Sequence, residues 1–317
     1  MDLNIDHRIE LVTIIQTLCN YWENLSQKYF NKKLFQCKYK ENINKYFKKY
    51  IKYETIDIYN KLCKEEMDIS AFLSLILNYT DPPNLNRIEN YNENKYEIFI
   101  DSIRKFYKET KFDYFLENNQ NEYRKIINNV GNKEDLLKEI NSIFEYLDVD
   151  KRNYGIIISP LVLGNFGIST YLKNYVIISP FDYKDNNYVF GSKESIKNII
   201  WHEICHTVIN DLTKKYFNQN KCKNLDIPEI FLKQLYNNIE TIINEYIVRS
   251  ITNILEKDKN CAKTLLDQEI NSGFYELENI KYYIIENCTE NNKLNKNNNY
   301  EKLINYIIEK ISKSYCA

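Results

Sequence analysis

Excess charge of either sign is missing from this chain: 43 Lys and Arg stand against 44 Asp and Glu, for a formal net charge of −1. A balanced chain has no bulk attraction for a polyanion, so neither nucleic acid nor an anionic membrane surface is expected as a partner. Cysteine pairs at C-x-x-C spacing are missing too. The eight cysteines, at 19, 37, 63, 205, 222, 261, 288 and 316, are scattered, which fits reduced thiols better than a disulfide framework. The start, Met1-Asp2-Leu3-Asn4-Ile5-Asp6-His7-Arg8, lacks the cationic segment and unbroken apolar run of a leader, so a cytoplasmic location is expected. Histidine is nearly absent, with three in 317 residues. What remains, 44% hydrophobic residues at near-zero net charge, describes an ordinary globular protein of one large or two modest domains.

Two of the three histidines fall in Trp201-His202-Glu203-Ile204-Cys205-His206, an H-E-x-x-H motif. Chance would put that motif in roughly a few of a thousand chains of this composition. On a helix, residues four apart are offset by about 40°, so both imidazoles reach one metal ion from the same face. Glu203 is turned about 100° from His202 and about 60° from His206, so it flanks the metal without being forced to ligate it. A carboxylate placed there can take a proton from a zinc-activated water, which makes Glu203 the expected general base. A solvated stripe or a satisfied core pair would need no metal. Against that, Ser195 to Ile209 is largely apolar and contains no Pro or Gly, as in a buried helix. Burying two imidazoles and a carboxylate is costly unless they are paired or metal-bound. Cys205 points about 100° away from His206 and is expected in the core, and His7 is expected to be structural or exposed.

A catalytic zinc takes three protein ligands and keeps a fourth position open. A metzincin would place Gly at position 209 and His at 212, where this chain has Ile209 and Leu212. The upstream Cys of a peptide deformylase has no counterpart, since none lies between Cys63 and Cys205. No histidine follows His206, so a downstream third ligand must be a carboxylate or a cysteine. The segment Glu240 to Ser250 reads as a second buried helix carrying two carboxylates, Glu240 and Glu245. They lie about 140° apart, so only one can face the histidine pair. The apolar positions Ile239, Ile243, Ile247, Ile251 and Ile254 surround the Glu240 side more than the Glu245 side, whereas Arg249 stands one turn beyond Glu245, where i,i+4 partners meet.

Asn244-Glu245, downstream of His206, is similar to the Asn-Glu of the third-ligand helix in gluzincins, the thermolysin-like metallopeptidases. His206-Thr207-Val208-Ile209-Asn210-Asp211 likewise resembles the thermolysin-type continuation, in which polar residues that support the ligands follow the second histidine. More closely, W-H-E-x-x-H with a later N-E-Y-x-V-R-S looks like a family of uncharacterised bacterial proteins of unknown function, suspected to be gluzincins, over Tyr154 to Ile254. The resemblance implies His202, His206 and Glu245 as ligands of one Zn2+ per chain, Glu203 as base, and a peptide or protein substrate. Asn210, Asp211 and Arg249 become supporting residues. Thermolysin-like enzymes can use a downstream histidine as oxyanion donor; with none here, Arg249, Asn165, Tyr246 and Tyr171 are the candidates.

Until about residue 150 the pattern is helical. Ile9, Val12, Ile15, Cys19, Trp22 and Leu25 recur at helical spacing, Met67–Tyr79 is an apolar helix closed by Asp81-Pro82-Pro83, and segments 92–109, 120–130 and 133–147 continue in that manner. The apolar faces are expected as core, though an equivalent stripe can bind a partner helix. Tyr154–Pro160 and Tyr175–Pro180 then read as strands, with Gly164-Asn165-Phe166-Gly167 as turn chemistry between them and Asn187–Phe190 as a third strand. The Asn runs near 118–121 and 296–299 read as solvated loops. After Gly191 the pattern is helical to the end.

The fold expected is α+β and mainly helical: an N-terminal helical region over 1–150, then a zincin-like catalytic region over 151–317 with a small sheet and a helical C-terminal lobe. In the zincin layout an edge strand holds extended peptide by main-chain hydrogen bonds. The function expected is zinc-dependent peptide hydrolysis. Two alternatives stand beside it, a zinc-binding interaction protein without protease activity and a metal-dependent hydrolase of a non-peptide amide.

Overall fold

The computed structural model describes residues 1–31, 33–64, 70–88, 96–217, 226–296 and 299–315. Cys222, Cys316, residues 67–69 and 92–95 of two expected helices, and Asn297 and Asn298 lie outside them. The fold is α+β and mainly helical. Among the described residues no helix is long and apolar enough to cross a membrane.

Contacts divide the chain into two units, Met1–Leu137 with Arg152–Ile199, and Lys138–Lys151 with Ile200–Ala317. This differs from a break at 150/151, because the strands join the N-terminal helices. The reason is a two-residue strand, β1 (Leu3–Asn4), which pairs parallel with β2 (Tyr154–Ile158) in the register Leu3 to Ile156. β4 (Asn174–Ile178) lies parallel to β2 on its other side, and β3 (Phe166–Ser169) runs antiparallel along β4, for the order β1-β2-β4-β3. All five residues of β2 are buried, as expected of a parallel strand covered on both faces. The stretch read as a turn is therefore partly strand. Gly164 turns at φ 99°, but Phe166 and Gly167 already belong to β3. The expected third strand forms outside this sheet, as a hairpin of β5 (Asp182–Lys184) with β6 (Asn187–Val189).

The helices of the first unit begin with α1 (His7–Leu18), capped by Asp6, whose carboxylate accepts the Arg8 and Ile9 N–H groups. The helical spacing from Ile9 to Leu25 is split by Asn20, left-handed at φ 52°, so that a separate α2 (Tyr21–Phe30) follows. Asn tolerates that conformation better than most residues. Next come α3 (Lys38–Phe47), α4 (Glu54–Lys64), α5 (Ala71–Leu77), α6 (Glu97–Glu109), α7 (Phe112–Asn118), α8 (Gln120–Asn129) and the part of α9 (Lys133–Glu139) up to Leu137. α1 is buried from Arg8 to Thr17 and packs against α2, α3, α4 and α5. His7, at its first turn, is exposed.

The second unit contains α10 (Asn141–Tyr146), the part of α11 (Lys193–Tyr216) from Ile200 onward, α12 (Glu229–Leu232), α13 (Ile239–Leu255), α14 (Lys259–Asn271), α15 (Leu277–Asn287) and α16 (Asn299–Tyr315). The helical pattern after Gly191 is interrupted by a hairpin of β7 (Thr289–Glu290) and β8 (Lys293–Leu294). α13 is central, packed on α14, α15 and α16, and it is buried around most of its circumference. Asn238 caps it by accepting the Thr241 N–H at 2.7 Å.

Candidate metal centre

Trp201, Glu203, Ile204, Cys205, Thr207 and Ile209 are all buried on α11, which confirms the apolar setting of the motif. His202 and His206 stand on one side of the helix with their Nε2 atoms 3.0 Å apart and their rings at 71°. Glu245, from the middle of α13, brings Oε1 to 3.3 Å from His206 Nε2 and Oε2 to 3.7 Å from His202 Nε2. In a tetrahedral site with bonds of about 2.0–2.1 Å, neighbouring ligand atoms stand about 3.4 Å apart. The three side chains therefore fit a shared metal ion, and among the described residues they are the group placed to hold one. Glu240 is half-buried in the first turn of α13 and is not part of that group.

The surroundings prepare these atoms for a cation. His206 Nδ1 is 3.1 Å from Asn210 Oδ1; with the ring proton there, Nε2 keeps its lone pair for the metal side. Burial holds the His202 imidazole down, to about 3, so that it is neutral. Burial also opposes charge on His206, but the bond to the Glu245 carboxylate outweighs it and holds His206 up, to about 9, with Glu203 adding to that field, so a metal ion taking Nε2 would displace the proton held between His206 and Glu245. Burial would raise the Glu245 carboxyl; His206, His202 and Arg249 together keep it well below the usual carboxylate range. Glu203 is buried at 9% exposure on the same helix. Cys205 is fully buried and burial pushes its thiol up, as for a core residue.

Arg249 is the hub of the outer layer. Its Nε and Nη2 both lie 2.9 Å from Glu245 Oε2, Nη1 bonds Glu269 on α14, and Nη2 donates to the Tyr236 hydroxyl at 3.1 Å. The guanidinium lies over the Phe274 ring, 4.4 Å from its centroid. Two helix ends set these partners. Gly273, at φ 110°, closes α14 with the Phe274 N–H bonded back to Glu269 O, and a Cβ there would come within 2.7 Å of Ile230 Cδ1. Leu235 does the same after α12 at φ 69°, where the Tyr236 N–H returns to Phe231 O. A branched residue in that conformation is strained, and the strain is stored beside the group that presents Tyr236.

The other residues singled out from the sequence lie as follows. Asn244 is buried, with no hydrogen-bond partner for its Oδ1 among the described residues. Asp211 is exposed on α11. The Tyr246 hydroxyl is 2.8 Å from that of Tyr315, inside the packing of the second unit. Asn165 and Tyr171 belong to the first unit. Asn165 Oδ1 accepts the Ser179 N–H at 3.1 Å, and exposed Tyr171 donates its backbone N–H to Asn78. Tyr236 and Glu269 were not foreseen. Among 28 tyrosines nothing local marks Tyr236, and Glu269 reaches Arg249 from another helix, 20 residues away in sequence.

The model of a family described as a domain of unknown function (DUF4932) matches residues 81–312, so the chain belongs to that family. The match is wider than Tyr154–Ile254 and takes in helices α6 to α10 as well. No curated protein and no solved structure matches the chain.

Proposed function

We propose that this protein is a zinc-dependent peptidase with His202, His206 and Glu245 as the metal ligands and Glu203 as the general base. The observation that carries the reading is the convergence of two H-E-x-x-H imidazoles, their Nε2 atoms 3.0 Å apart, and a distant carboxylate whose Oε1 is 3.3 Å from His206 Nε2 and Oε2 3.7 Å from His202 Nε2. Two imidazole nitrogens and one carboxylate oxygen are a donor set that suits zinc and leave a fourth position for water or substrate. When bound, zinc supplies Lewis acidity, polarising a scissile carbonyl and lowering the pKa of water toward about 7. Glu203 takes the proton of the attacking water and returns it to the leaving amine. Tyr236 accepts from Arg249 at 3.1 Å and faces the Glu245 carboxylate, so its hydroxyl supports the third ligand from behind.

Elemental analysis of protein purified without chelators, followed by digestion of a peptide library, tests the reading. One zinc per chain and cleavage abolished by a chelator are expected. Zinc without cleavage of any peptide would leave an interaction protein, and cleavage confined to small non-peptide amides would leave the other hydrolase reading.

A further inference from the structure

Glu245 differs from an ordinary ligand carboxylate in how its two oxygens are used. Oε2 accepts the Arg249 Nε–H at 2.9 Å and lies 2.9 Å from Nη2 and 3.7 Å from His202 Nε2, while Oε1 faces His206 Nε2 at 3.3 Å. We propose that Arg249 is a positioning residue that holds Glu245 as a one-oxygen metal ligand, with Oε1 on the metal and Oε2 withheld, and so keeps the fourth coordination position open. The inference rests on the zinc reading above.

Three features set this pair apart from an ordinary i,i+4 ion pair. An exposed pair of that spacing contributes a few tenths of a kcal/mol and moves freely, whereas here the side chains are only 16% and 9% exposed. The guanidinium is also fixed by Glu269 at Nη1, by the Tyr236 hydroxyl that Nη2 bonds, and by Phe274 beneath its plane. Finally, both nitrogens on one edge of the fork address the same oxygen. A carboxylate gripped this way cannot rotate to offer both oxygens to a metal, and a bidentate carboxylate would fill the position that water needs.

The test uses the full chain loaded with zinc, read by X-ray absorption at the zinc edge and by competition with a chromogenic chelator. Wild type is expected to show about four light donors, and R249M about five at a longer mean distance, as Glu245 turns bidentate. R249M should also weaken zinc binding about tenfold, the lower end for removing a group that supports a ligand. R249K restores the charge but not the fork, so it should keep the R249M spectrum. E269Q loosens only the outer anchor and should weaken zinc binding two- to three-fold, which keeps the proposal testable even if the Arg249 variants fold poorly. An R249M or E269Q protein with the wild-type spectrum and affinity overturns the proposal, as does full recovery by R249K, which would mean that charge alone matters. A wild-type chain that takes up no zinc overturns the metal reading itself and this inference with it.

Discussion

Glu10 in the first unit and Glu245 in the second are both glutamates buried in the middle of a helical cluster, and their carboxyls are shifted in opposite directions. Glu245 is surrounded by two imidazoles and a guanidinium and is kept ionised. Glu10, on α1, is fully buried against the hydroxyls of Tyr39 on α3 and Tyr123 on α8, with Asp6 as the nearby charge and no cation acting on it among the described residues. Its Oε1 has no hydrogen-bond partner among the described residues, and burial pushes its carboxyl up to about 7. Burial alone disfavours the charge at both positions. What the neighbouring helices present decides whether a buried carboxyl gives up its proton more or less readily than in water.

The largest effect expected concerns a third carboxylate, Glu203, proposed to exchange a proton rather than hold one state. Glu203→Gln keeps shape and polarity but cannot act as base, so peptide hydrolysis should fall by about 10³–10⁴-fold with zinc content and melting temperature near wild type. Equal rates with zinc intact would remove Glu203 from the mechanism. Next, Glu245→Ala should lower zinc affinity by at least about 100-fold in chelator competition, because a ligand is lost and Arg249 keeps only one of its two carboxylates. Glu240→Ala should stay within a few-fold, and the reverse result would make Glu240 the ligand.

Glu10 offers the opposite behaviour. Its folded pKa, about 7, lies above the ordinary 4.5, so between those values the folded chain keeps a proton that the unfolded chain has released. The contribution of Glu10 to stability is therefore lost as pH rises from about 4.5 to 7 and does not change above, a total of about 3 kcal/mol. Glu10→Gln should abolish that slope and gain stability over wild type at pH 8, measured by urea unfolding or by hydrogen exchange of α1 amides. A slope that persists in the variant would assign it to other groups. The smallest effect is expected at Asn210: Asn210→Ala frees the His206 ring and should weaken zinc binding about tenfold in the same chelator competition, and an unchanged affinity would remove Asn210 from the support of the site.

Legibility followed the range of the interactions. The histidine pair and Glu203 are placed by the turn of one helix, so their spacing in sequence already specified their geometry. The third carboxylate was harder, since apolar periodicity drew attention to Glu240. α13 is buried on nearly every side, so its hydrophobic pattern has no exposed face to give the contrast that periodicity needs. The Asn-Glu resemblance and the i,i+4 position of Arg249 pointed to Glu245 instead, the carboxylate that meets the two imidazoles. The break at Asn20 was hidden because the apolar spacing runs through it.

By itself the sequence determined the mainly helical α+β class, the H-E-x-x-H face and the short list of carboxylates able to complete it, because each rests on backbone propensity and repeat within a few turns. Only the tertiary structure decided the rest. It joined Leu3–Asn4 to a strand some 150 residues away, chose Glu245 over Glu240, and gathered Arg249, Glu269 and Tyr236 from three segments around one carboxylate. Those pairings join residues far apart in the chain through packing and charge, and a local pattern carries no record of which distant group a buried side chain will meet.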